Sequence, residues 1–277
     1  MSQEPRPIGR HHAILSEFRQ AFRAGLLADA DGEPKLAIEG PRLIGEAIRS
    51  GYRIETALFS RTGLERLGAK LLPQLSKHTQ TAVAEDKDFA GAMDVEHPQG
   101  AAALVRYPAP KLDDVFGKGD DGPALVVAAA EMQDPGNLGT LIRAADAFGA
   151  TGVVALADTV NPFHPKAVRA AAGSLFHLPV VGKVTAEALI AACRRRSVRL
   201  LATSARGDAE AITAGLAEPL CFVIGQEAAG VPRDLQRAAD AIITIPMTRA
   251  VESLNAGVAG AILLYEAARQ RRAAGPA

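Results

Sequence analysis

The sequence predicts an α/β protein in two parts: a small α/β domain, then a larger α/β domain built on a parallel sheet. Three observations carry this. Short continuous apolar runs such as PALVVAAA at 123–130 have the character of strands covered on both faces. Amphipathic stretches ended by glycine alternate with them. A segment rich in proline, glycine and acidic residues, PAPKLDDVFGKGDDGP at 108–123, interrupts the pattern. Residues 1–107 are therefore expected to form one domain, 108–123 a linker and 124–277 the second domain.

In the first domain, helical periodicity covers 11–27, residues 35–39 read as a strand, and GPRLIGEAIRS at 40–50 is an amphipathic helix closed by Gly51. A strand at 54–60, a helix near 64–75, a strand at 81–84 and a last strand at 101–107 follow. After the linker come a strand within 123–130 and a helix over 137–148 stopped by Gly149. Strands are expected at 153–156, 198–202, 221–224 and 241–245, and helices at 165–172, 185–196 and from about 255 to 271. This alternation gives a parallel sheet with helices on both faces, whose ligands sit at the carboxyl ends of the strands.

Composition narrows the function. With 277 residues, 48% of them hydrophobic, the chain can bury an ordinary core, so global disorder is excluded. Lys+Arg and Asp+Glu are both 31, so nucleic acid, if bound, is met by local patches rather than a global basic field. Cys193 and Cys221 match neither a zinc nor a redox spacing and exclude a disulfide scaffold. The longest apolar stretches fall short of the roughly 18 residues that span a bilayer, and MSQEPRPIGRHH lacks the apolar core of a secretion signal, which points to the cytoplasm.

The loops after the strands are where a site belongs. EMQDPGNLGTLIRAADAFGA at 131–150 holds a turn at Asp134, Pro135 and Gly136, with Asn137 able to start the helix and Arg143 lying within it. It lacks the G-x-G-x-x-G of dinucleotide folds, which leaves a nicotinamide-dependent oxidoreductase a distant reading. GQEAAG at 225–230 is followed by Val231 and Pro232 instead of the Lys and Ser/Thr of a phosphate loop. The six histidines have no ligand spacing, so no metal is expected, and no Gly-x-Ser-x-Gly elbow exists. His177 reads as a structural residue beside a strand. What remains is polar: Asn137 and Arg143 in the first loop, Glu227 in the second, Ser253 and Asn255 at the head of the last helix. Singly, each has a structural explanation; Glu252 and Ser253 can cap that helix and Asn255 can be an ordinary first-turn residue.

Taken together, DPGNLGTLIRAADAFGA (134–150), FVIGQEAAGV (222–231) and IPMTRAVESLNAGVAGAILLYEA (245–267) resemble the three signature motifs of the SpoU (TrmH) family of RNA 2′-O-ribose methyltransferases, in the SPOUT superfamily. NPFHPKAVRAAAGSLFHLPV (161–180) and LATSARG (201–207) support the resemblance. IEGPRLIGEAIRSG (38–51) and HPQGAAALV (97–105) resemble the ribosomal-protein-like RNA substrate-binding domain that often precedes it. The resemblance implies a deep trefoil knot in the carboxyl-terminal domain, S-adenosylmethionine (AdoMet) as cofactor, and a homodimer with each active site near the interface. Carried onto this chain, the cofactor residues are Thr203, Ser204, Gly225, Ile245, Met247, Ser253 and Leu254, and the catalytic set is Asn137, Arg143, Glu227, Ser253 and Asn255.

The implied reaction moves a methyl group to a ribose 2′-hydroxyl, with ribosomal RNA favoured over tRNA and a non-catalytic RNA-binding relative as the other alternative. In the family the arginine is proposed as general base. A guanidinium stays protonated, so the role expected of Arg143 is to stabilise the oxyanion and bind the neighbouring phosphate. Arg42 is the expected RNA contact of the first domain; the arginines at 194–196 and 199, and at 269, 271 and 272, are further basic clusters. Ala256 and Gly257 stand where larger residues often follow the Ser-Leu-Asn triplet, which puts the packing of the last helix in question.

Overall fold

A computed structural model describes residues 4–28, 33–117, 122–248 and 253–275. Of these, residues up to Ala109 pack together with Phe163–Phe176 as one compact unit; Pro110–Pro162 and the residues from His177 onward form a second.

The first unit contains β1 (Arg6–Pro7), α1 (Ala13–Ala24), β2 (Leu26–Leu27), β3 (Lys35–Glu39), α2 (Pro41–Arg49), β4 (Ile54–Ser60), α3 (Arg61–Leu71), β5 (Gln80–Ala84), α4 (Asp86–Ala90) and β6 (Ala101–Arg106). Its sheet has the order β1-β5-β4-β6-β3-β2, with β6 antiparallel to both β3 and β4. Phe18 and Phe22 of α1 pack with Ala37, Leu58, Ala82 and Leu104 from four strands, because the helix presents its apolar stripe to one face of the sheet. α3 starts three residues before the expected position. Ser60 caps it by accepting from Gly63 N at 3.0 Å, a cap that the apolar period does not report. Tyr107 is buried and donates to Leu175 O at 3.1 Å, while its ring meets Tyr52 and Phe163, and Phe176 packs on Tyr52. These aromatic contacts fasten 163–176, including α6 (Pro165–Ala171), to the first unit.

The second unit contains β7 (Leu125–Ala129), α5 (Pro135–Ala147), β8 (Gly152–Leu156), β9 (Val180–Val184), α7 (Ala186–Arg195), β10 (Arg199–Thr203), β11 (Ala209–Glu210), β12 (Leu220–Ile224), α8 (Arg233–Ala238), β13 (Ala241–Thr244) and α9 (Ala256–Ala274). Its sheet runs β11-β13-β10-β12-β7-β8-β9 with every pairing parallel. The parallel α/β class is thus as expected. β7 and β12 are buried along their whole length, which accounts for their unbroken apolar sequences. Residues 112–116, within the expected linker, form a 3₁₀ turn whose Val115 and Phe116 are buried. A Cβ on Gly152 would lie 2.5 Å from Val115 Cα, so strand and turn close only over a glycine. β9 and α8 had no sequence expectation: Gly182 and Lys183 break the apolar run of the one, and the other is six residues long.

Candidate functional site

Three loops of the second unit meet at the carboxyl ends of its strands. After β7, Asp134 caps α5 by accepting from Asn137 N at 2.9 Å, and Pro135 takes the first helical position, where a missing N–H costs nothing. The helix therefore begins before Asn137, not at it. After β12, the chain folds back so that Gly230 N donates to Gln226 O at 2.8 Å. A Cβ on Gly225 would stand 2.1 Å from the carbonyl carbon of Gly230, so this tight return requires glycine. At the head of α9 the cap is Asn255 itself, whose Oδ1 accepts from Val258 N at 3.2 Å. This corrects the expected capping by Ser253; Glu252 lies outside the described residues.

The result is a hub on one carboxylate oxygen. Glu227 Oε1 accepts from Asn137 Nδ2 at 2.9 Å, from Asn255 Nδ2 at 2.9 Å and from Ala256 N at 3.1 Å. Asn255 Nδ2 also donates to Asn137 Oδ1 at 2.9 Å. The N-termini of α5 and α9 converge here, and each favours a nearby anion by roughly 0.3–1 kcal/mol at an exposed position. Glu227 is exposed, and its Oε2 has no hydrogen-bond partner among the described residues.

Beside the hub lies a cavity of about 290 Å³, near the lower end of the roughly 300–1,000 Å³ of small-molecule sites. Every residue expected to hold the cofactor lines it: Thr203 and Ser204 after β10, Gly225 after β12, Ile245 and Met247 after β13, and Ser253 and Leu254 before α9. Glu227 also borders it. The lining suits AdoMet chemically. Ile245, Met247 and Leu254 offer apolar surface for a flat heterocycle, and the backbone of the three loops offers donors and acceptors at its edge. Thr203 Oγ1 is already committed to Val223 O at 2.9 Å, so its hydroxyl braces β10 against β12. The sequence reading missed Ala259 and Leu263, which line the cavity from α9. Their spacing from Asn255, four and eight residues on, places them on one helix face and was the available signal.

Arg143 is not brought to this hub. It is exposed, with no hydrogen bond or ion pair among the described residues, and six helical residues after Asn137 it points about 120° away around α5. Arg42 is exposed on α2 of the first unit. The other basic clusters are largely structural. Arg196 pairs with Asp113 at 3.2 Å and lies over Phe116, Arg199 donates to Gly215 O, Arg269 pairs with Glu266 at 2.7 Å, and Arg271 donates to the carbonyls of Pro123, Ala124 and Glu218. His177 holds Asp146 at 2.8 Å, and both cysteines are buried. Gly257 and Gly260 answer the question of the last helix. A Cβ on Gly257 would lie 3.0 Å from Asn137 O, so small residues let α9 close on α5.

A parallel-sheet α/β unit with three strand-end loops around one cleft is the architecture of a ligand-binding α/β enzyme. Residues 124–265 match the SpoU rRNA Methylase family, and the chain belongs to that family. It is 31% identical to a 23S rRNA (uridine(2479)-2′-O)-methyltransferase of Streptomyces viridochromogenes, over 94% of this chain and 88% of that one. It is also 31% identical to a 23S rRNA (guanosine(2553)-2′-O)-methyltransferase of Bacillus subtilis, over 82% and 86%. Among solved structures, the SpoU methyltransferase AviRb from Streptomyces viridochromogenes in complex with AdoMet superposes with a TM-score of 0.79 at 27% identity, covering 95% of this chain and 99% of that one. An AdoMet-bound rRNA methyltransferase from Sinorhizobium meliloti gives 0.77 at 27%, covering 95% and 97%.

Proposed function

We infer that this chain is an AdoMet-dependent methyltransferase acting on a ribose 2′-hydroxyl of ribosomal RNA. The carrying observation is the convergence of Asn137, Glu227 and Asn255 on one carboxylate oxygen beside the cavity lined by all seven cofactor residues. Bound there, AdoMet supplies an electrophilic methyl group. A neutral hydroxyl is a weak nucleophile, so the protein must align it and favour its alkoxide character. Its oxygen forms the new bond to carbon as the carbon–sulfur bond breaks, and its proton leaves to water. Glu227 fixes Asn137 and Asn255 at the loop junction, Ser253 and Leu254 hold the cofactor side, and Arg143 stabilises the developing oxyanion and the adjacent phosphate.

The catalytic unit is a homodimer in this reading. Val258, Ile262 and Tyr265 are exposed at intervals of four and three on α9, an apolar stripe that isolated solvated helices do not keep. Tyr265 meets Phe148 at the end of α5, on whose exposed side Arg143 lies. Burying this face against a second copy would let each Arg143 serve the partner's site. A trefoil knot is part of the same reading. The membership of residues 124–265 in the SpoU family supports it. The first unit binds RNA and Arg42 contacts it. No described helix is long and apolar enough to cross a membrane, and the enzyme works in the cytoplasm, where its RNA is.

The test is transfer of labelled methyl from AdoMet to unmodified ribosomal RNA by wild type and Arg143→Ala. Wild type should transfer and Arg143→Ala should lose about 100-fold or more. Near-wild-type transfer by the variant would remove Arg143 from the mechanism, and no transfer by folded, AdoMet-binding wild type to any ribosomal RNA would overturn the reading.

A further inference from the structure

Between Asp158 and Glu187 the sequence contains no acidic residue, yet it holds His164, Lys166, Arg169, His177 and Lys183. The first three lie on or just before α6, within the stretch that packs with the first unit. α6 sits beside the carboxyl end of β3. Arg169 Nη1 donates to Asp94 O at 3.4 Å, and its charge acts on the buried Glu39, the last residue of β3. Gly40, Pro41 and Arg42 follow directly. A Cβ on Gly173 would lie 2.6 Å from Glu46 Cγ, so the turn ending α6 rests on the face of α2 that carries Glu46. Arg42, one helical turn earlier, shares that face.

The same corner gathers one more cation. Glu39 Oε1 accepts from Gln99 N, and Arg66 Nη2 donates to Gln99 O at 3.0 Å. The acidic groups at this corner are partly engaged, Asp86 accepting from Thr62 N at 3.1 Å. Glu39 is buried, Glu46 pairs with Arg49 at 2.5 Å, and Asp94 and Glu96 are exposed. Arg42 and Lys166 are exposed and Arg169 is half-buried. Cations drawn from three helices, on a rigid sheet end, form the kind of local patch that a chain of zero net charge needs to hold a polyanion.

We propose that α6 completes the RNA-binding surface of the first unit, with Lys166 and Arg169 contacting the phosphate backbone next to Arg42. This rests on the reading of the protein as an RNA methyltransferase, and places part of its RNA grip within the stretch that matches the methylase family. Phosphate contacts supply affinity and register without base specificity.

The experiment titrates an unmodified 23S rRNA transcript with full-length wild type, Lys166→Glu, Arg169→Gln and Arg42→Glu at several salt concentrations, with AdoMet binding measured on each. Lys166→Glu and Arg169→Gln should weaken RNA binding at least five-fold and flatten the log–log salt dependence by about 0.7–0.9 per lost contact, as Arg42→Glu does, while AdoMet binds as to wild type. Lys166 is exposed where Arg169 is half-buried, so Lys166→Glu decides the matter if Arg169→Gln melts early. Wild-type affinity and salt slope in Lys166→Glu would overturn the proposal. Failure of wild type itself to bind the transcript would instead strike the methyltransferase reading.

Discussion

At the scale of single residues, Glu227 and Glu39 show how position decides what a carboxylate does. Glu227 gathers three N–H donors at an exposed loop, so Glu227→Ala should cost little stability but free Asn137 and Asn255 from their common acceptor. Methyl transfer is expected to fall about 100-fold, with melting lowered by only a few degrees; unchanged transfer would show the hub to be incidental. Glu39 is buried, and burial, partly offset by the Gln99 N–H and by Arg169, holds its carboxyl above the usual range. A raised native value means that the folded state keeps its proton longer than the unfolded chain, so stability is lost as pH rises through that interval. Glu39→Gln, with no proton to lose, should melt at least as high as wild type at pH 7, and the difference should shrink toward pH 4. A variant less stable at pH 7 would contradict this. Asn137, Glu227 and Asn255 were singled out in the sequence by the resemblance of their three segments to family motifs, and the structure joins these three by hydrogen bonds. The geometry of the site was not legible: that Asp134 and Asn255 are the caps depends on backbone dihedrals that apolar spacing does not encode.

Elements are held in register by glycines whose neighbours differ in compliance. A Cβ on Gly225 would stand 2.1 Å from the Gly230 backbone, which cannot yield, whereas one on Gly260 would meet Leu141 Cδ1 at 2.2 Å, a terminal methyl that can rotate away. Gly225→Ala should therefore distort the 225–230 loop and weaken AdoMet binding at least tenfold by calorimetry. Gly260→Ala should cost roughly 1–3 kcal/mol of stability and leave AdoMet affinity near wild type. Equal effects of the two substitutions would mean that the loop return does not shape the cavity. The strands most legible in the sequence were β7 and β12, where apolar runs are unbroken. β9 and α8 were not, because a Gly-Lys interruption and a six-residue length remove the periodic signal.

For the whole molecule, the sequence carried the parallel sheet but no sign that residues 163–176 pack with the first unit. That packing depends on Tyr52, Tyr107, Phe163 and Phe176 meeting across more than a hundred residues of chain, and such long-range contacts leave no local pattern. The exposed stripe on α9 gives a second test at this scale: Ile262→Glu should sediment as a monomer where wild type is a dimer, and methyl transfer should fall with it, since Arg143 would lose the site it serves. A monomeric wild type with full activity would contradict the shared site.

The most direct measurement is the position of the transferred methyl. Ribosomal RNA incubated with the protein and AdoMet, then digested to nucleosides, should contain a new ribose-methylated nucleoside whose phosphodiester resists alkali, and Glu227→Ala should not form it. Methyl found only on a base, or on no nucleoside while AdoMet binds normally, would contradict the account.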